Sequence, residues 1–116
     1  MSDLERTLLD GVKLPGYCGG MIEVAKAFSI KHDQIDPQKV IDYAAKLDVG
    51  AVYRRLGFLM ELYQIGDRIY WEFLQTKLTR TYQLLDPDLP QEGHHIAKWR
   101  LRLNISEDEL IAIRGT

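Results

Sequence analysis

The stretch VYRRLGFLMELY, residues 52–63, decides the fold class. Val52, Leu56, Leu59, Met60 and Tyr63 recur at i, i+4, i+7, i+8 and i+11, one face of a helix with a 3.6-residue period. Gly66 ends it. Arg54 and Arg55 lie off this apolar face, which predicts that they point into solvent or toward a partner. Guanidinium groups in that position suit carboxylate and phosphate recognition.

Upstream, the same period marks three shorter helices. Ser2-Asp3-Leu4-Glu5 is a capping box, a hydroxyl followed three residues later by a carboxylate, and Leu4, Leu8 and Val12 follow on one face. Pro15, Gly16, Gly19 and Gly20 interrupt the chain. A second helix runs from about Met21 to His32 through Met21, Val24, Ala25 and Phe28. A third starts at Asp36, a capping residue, with Pro37 at the first helical position, where a missing amide is tolerated. Val40, Tyr43, Ala44 and Leu47 are its inward stripe, and Asp48-Val49-Gly50 closes it.

Downstream, a fifth helix is expected from Asp67 to about Leu78, burying Tyr70, Phe73, Leu74 and Leu78 with Ile69 beside them. Trp71 lies off that stripe, so it is the aromatic expected to be exposed and available for binding. The period then changes. Tyr82 to Leu85 reads as a short strand, followed by a loop carrying Pro87, Pro90 and Gly93. From Lys98 to Ile105 the alternation is strict: Trp99, Leu101, Leu103 and Ile105 on one face, Lys98, Arg100, Arg102 and Asn104 on the other. A second capping box, Ser106 to Glu109, opens a last turn of helix through Leu110 and Ile113. The expected architecture is α+β: a mainly helical bundle of about five helices, with a small antiparallel β-sheet near the C-terminus, in one domain covering residues 1–116.

Composition narrows the function classes. With a net charge of −2, the chain lacks the basic excess that usually drives nucleic-acid binding, so such a contact would need a local patch. The lone Cys18 closes no intrachain disulfide, and a reducing cytoplasm is the natural location. No apolar run approaches the roughly 20 residues that span a bilayer, and no signal-peptide pattern opens the chain, so no membrane partner is expected.

Catalytic patterns are weak. A Cys18–His94 nucleophile pair would define a small enzyme, but a buried or half-buried thiol beside a turn is the simpler explanation of Cys18. The neighbours His94 and His95 fall in the Pro/Gly loop and read as solvated; even on a strand, adjacent side chains point to opposite faces, a poor arrangement for one metal ion. No phosphate-binding Gly loop, His-Glu-x-x-His or calcium-loop spacing occurs. No catalytic, cofactor or metal residues are therefore expected. Residues 44–58, AAKLDVGAVYRRLGF, imitate a helix-turn-helix, but the turn is about two residues too short, and the next helix stays apolar through Tyr63. The alternating C-terminal segment is the stronger signal. Three cations spaced roughly 6–7 Å apart along one strand face repel one another unless something anionic opposes them.

Read in order, SDLERTLLDG, the Tyr17-Cys18-Gly19-Gly20 break, EVAKAF, IDYAAKLDVGAVYRRLGFLMEL, YQLLDP and KWRLRLNI resemble the C-terminal domain of the AbiEi family of antitoxins. The resemblance spans Ser2 to Ile105. It implies an antitoxin-like regulatory domain of a type IV toxin–antitoxin (abortive infection) system, counteracting a nucleotidyltransferase-like toxin and contributing to transcriptional autorepression. Family members carry a winged helix-turn-helix domain ahead of this one, and no room for it is expected here. Arg54, Arg55, Lys98, Arg100 and Arg102 are the expected partner or DNA contacts. The alternatives are a stand-alone DNA-binding regulator and a small enzyme using Cys18 and His94.

Overall fold

The computed structural model describes residues 4–78, 80–85, 93–105 and 107–114; for Tyr17, Cys18, His94, Glu107 and Arg114 it describes the backbone alone. Ser2 and Asp3 of the first capping box, the Pro87–Pro90 loop and Ser106 of the second capping box lie outside the described residues. In chain order the elements are α1 (Leu4–Lys13), a short 3-10 turn (Pro15–Cys18), α2 (Met21–Ile30), α3 (Pro37–Leu47), α4 (Gly50–Leu62), α5 (Arg68–Gln75), β1 (Gln83–Leu84), β2 (His94–Ile96), β3 (Leu101–Leu103) and α6 (Glu107–Arg114). The class is α+β and mainly helical, as the periodicities predict. No helix among the described residues is long and apolar enough to cross a membrane.

Helix α4 is the axis of the domain. It packs against α1, α2, α5 and β1, and every residue from Val52 to Met60 is buried. The apolar face read from the sequence is therefore correct but incomplete, because the opposite face is covered too. The buried opposite face also leaves residues 52–60 without a surface to lay in a DNA groove. Trp99 lies across α4 at Gly57, where a Cβ would stand 2.1 Å from the indole Cζ3. A glycine here lets the largest buried side chain rest directly on the helix backbone.

The local start of α3 is as expected. Asp36 Oδ1 accepts from the amides of Gln38 and Lys39 at 3.1 and 3.3 Å. The Asp36 amide in turn donates to Glu5 Oε2 at 3.0 Å, so a buried carboxylate on α1 anchors the entry to α3. Within α3 the core positions are Val40, Ile41 and Ala44, while Tyr43 and Leu47 are half-buried.

Helix α5 is rotated relative to the sequence reading. Leu74 is its fully buried member, with Tyr70, Trp71 and Leu78 half-buried behind it, whereas Phe73 and Ile69 face solvent. Trp71 is thus not the exposed aromatic: it packs on the core, and its Nε1 donates to the Ile65 carbonyl at 3.0 Å. The indole N–H found a loop carbonyl left unpaired after α4, a partner that helical period alone does not reveal.

The sheet differs from expectation in strand direction and extent. Its strand order is β1-β3-β2, with β1 parallel to β3 and β2 antiparallel to β3, so it is mixed rather than wholly antiparallel. Strand β2 falls within a segment read as loop. Strand β3 is shorter than the alternation predicts, because residues 97–100 form the β2–β3 turn and Arg100 adopts φ +52°. The sorting by face still holds: Trp99, Leu101, Leu103 and Ile105 are all buried. Helix α6 then docks on α2, and Tyr63 Oη donates to the Leu110 carbonyl at 3.0 Å.

Candidate contact surface on the sheet

Of the five cations the sequence singled out, two are internal. Arg54 and Arg55 are 1% and 4% exposed. Arg54 Nη2 donates to the carbonyl of Thr81 at 2.8 Å. Arg55 Nε donates to the Leu84 carbonyl at 3.1 Å, and its Nη1 to the Val12 carbonyl at 3.0 Å. These guanidinium groups tie α4 to the chain entering β1 and to the end of α1, satisfying carbonyls that helix and ladder leave open. They are structural clamps, and the expectation of a solvent-facing Arg54–Arg55 contact is corrected accordingly.

Lys98 also leaves the predicted row. It lies in the β2–β3 turn and forms an ion pair with Glu61 of α4. The other oxygen of that carboxylate accepts from Trp99 Nε1 at 3.2 Å. Glu61 therefore holds both Lys98 and the indole over Gly57, and the Lys98 charge is answered within the molecule.

Arg100 and Arg102 remain, and the fold gathers other groups around them. In register, Arg102 pairs with His95 on β2 and with Leu84 on β1. The Arg102 Nε donates to the Gly93 carbonyl at 3.4 Å, which holds the side chain along the sheet rim. The Arg100 guanidinium carbon lies 5.9 Å from the centroid of the Tyr82 ring. Tyr82 in turn meets His95 edge to face, with centroids 4.9 Å apart and planes at 90°. Arg100, Tyr82, His95 and Arg102 thus form a continuous cationic and aromatic cluster. Beside it opens a cleft of about 290 Å³ lined by Tyr82, Gln83, Leu84, His95 and Arg102.

The electrostatics of this face are one-sided. Among the described residues neither Arg100 nor Arg102 has an ion-paired carboxylate. Beneath them, burial and secondarily the neighbouring Arg100 charge push the pKa of Arg54 below its ordinary value. A second concavity of about 270 Å³ lies between α1 and α3, lined by Arg6, Leu9, Asp10, Tyr43, Lys46 and Leu47. There Asp10 offsets one of the two cations, Arg6 and Lys46, so the positive excess is a single charge.

Tyr82 and His95 were not among the sequence candidates. The signal for Tyr82 was its place two residues before Leu84, which puts both on one side of an extended chain. His95 carries none, because residues 94–96 lack the apolar alternation that marks a strand. The side chains of Cys18 and His94 lie outside those described. Among the described residues no three His, Cys, Asp or Glu side chains converge as a metal site would require. Comparison with known proteins finds no matching family, no matching curated protein and no matching solved structure.

Proposed function

We propose that this chain is an antitoxin-like regulatory interaction domain whose contact surface is the Arg100–Tyr82–His95–Arg102 face of the sheet. The observation that carries the reading is the concentration of cations there without an ion-paired carboxylate among the described residues, on a chain of net charge −2. Such a face favours an anionic partner by several-fold gains in encounter and orientation. The antitoxin assignment rests on the ordered segments from SDLERTLLDG to KWRLRLNI. It carries with it antagonism of a nucleotidyltransferase-like toxin.

A stand-alone duplex-DNA regulator is disfavoured by the same geometry. Affinity for duplex DNA comes from neutralising many phosphates at once, and the burial of Arg54 and Arg55 and the pairing of Lys98 reduce the five candidate cations to two.

The test is co-expression with a nucleotidyltransferase-like toxin, comparing the parent with the double variant Arg100→Glu, Arg102→Glu. Both side chains are partly exposed, so the variant should fold with a circular dichroism spectrum like that of the parent. Loss of growth protection by the folded variant is the expected result. Full protection by it would remove the sheet face from the mechanism.

A further inference from the structure

Two arginines alone would suit any anion. The cleft beside them adds information, because it is walled by aromatic rings as well as by charge. Tyr82 is 38% exposed, and His95 is exposed beside it. An exposed tyrosine beside arginines also serves protein interfaces, so polyglutamate stands as the acidic control below, whereas a duplex presents phosphates while keeping its bases stacked inside. A single strand presents both: phosphates for guanidinium groups, and unstacked bases whose faces and edges pack on aromatic side chains. The cleft is small, near the lower end of the volumes that ligand sites span. That suits one nucleotide unit, not a helix surface.

On these grounds we propose that the Tyr82–His95 cleft, with Arg100 and Arg102 at its rim, binds one nucleotide of a single-stranded nucleic acid. The base packs against Tyr82 and His95, and the flanking phosphates meet Arg100 and Arg102. Gln83, at the cleft wall, supplies amide groups that match the edge of a base. The inference rests on the reading of this face as the contact surface, and names its occupant.

The experiment is fluorescence anisotropy of the full chain with labelled oligouridylate and oligothymidylate, a duplex oligonucleotide, and polyglutamate as an acidic competitor. The single strands should bind more tightly than the duplex, with affinity falling as salt rises. Tyr82→Ala should weaken single-strand binding by about 5- to 150-fold, the range for losing one base–aromatic contact. Tyr82→Phe should retain most of it. His95→Ala, at an exposed position, should weaken single-strand binding independently of any folding defect in Tyr82→Ala. The proposal is overturned if the duplex or polyglutamate binds the parent as well as the single strands do. It is equally overturned if Tyr82→Ala and His95→Ala leave single-strand affinity unchanged. Either outcome, with growth protection still dependent on Arg100 and Arg102, would leave the contact surface standing and change its occupant.

Discussion

Replacing Gly57 by alanine tests the packing at the centre of the molecule. In an exposed helix this change is stabilising by about 1 kcal/mol, because alanine loses less backbone freedom than glycine. Here the added methyl would stand 2.1, 2.5 and 2.6 Å from three carbons of the Trp99 ring. Trp99 is 1% exposed and is tethered by its Nε1 bond to Glu61, so the ring cannot swing away freely. Overpacking strain in a closed core costs about 1–3 kcal/mol and occasionally more, and a ring pushed wholly off its site forfeits packing on the scale of deleting it, about 3–5 kcal/mol. After subtracting the helix gain, Gly57→Ala should destabilise the domain by about 2–4 kcal/mol, a large part of the roughly 5–15 kcal/mol a domain possesses. Urea unfolding followed by far-ultraviolet circular dichroism measures this as a lower midpoint with unchanged slope. A variant at least as stable as the parent would refute the close approach of Trp99 to α4. A double-mutant cycle with Trp99→Ala sharpens the test, because the methyl has nothing to strike once the ring is gone and the penalties should then fall well short of additive.

Arg55→Met should cost about 2–4 kcal/mol in the same assay, since it strands the carbonyls of Leu84 and Val12 inside the protein. Arg55→Lys should recover little, because one ammonium group does not reproduce the two divergent bonds of the guanidinium; parental stability in either variant would show the clamp to be dispensable. Burial pushes the pKa of Tyr63 up to about 12 from an ordinary 10.0. The folded state therefore holds this proton more tightly than the unfolded chain does, and the associated stability is complete below about pH 10 and lost as the pH climbs toward 12. Thermal melting across that window should show the loss, and Tyr63→Phe should flatten it without abolishing it, because Tyr53 is also raised, by burial and then by Asp48. Asp36→Ala removes the acceptor for the Gln38 and Lys39 amides and should cost about 1 kcal/mol. Hydrogen exchange should then accelerate at the first turn of α3, and no acceleration there would show that the cap is redundant.

Legibility varied with the range of the interaction that decided each residue's place. The cap at Asp36 and the buried series Val52, Leu56, Leu59, Met60 and Tyr63 depend on neighbours within about three turns of helix, and both were readable. The inward set Trp99, Leu101, Leu103 and Ile105 was readable for the same reason, although only part of the segment is strand. Within the contact surface, Arg100 and Arg102 were legible from alternation, whereas His95 joins them only through cross-strand register.

What the order of residues determined by itself is the location of the helices, the change of period near residue 82 and the side of the C-terminal segment that turns inward, because each follows from local periodicity and capping chemistry. What the tertiary structure alone decided is the fate of the charges. Arg54 and Arg55 are drawn inside by carbonyls 27, 29 and 43 positions away, and Lys98 is drawn off its row by a carboxylate 37 positions away. A cation's partner is chosen by whichever acceptor the folded chain leaves unsatisfied nearby, and periodicity carries no record of that choice.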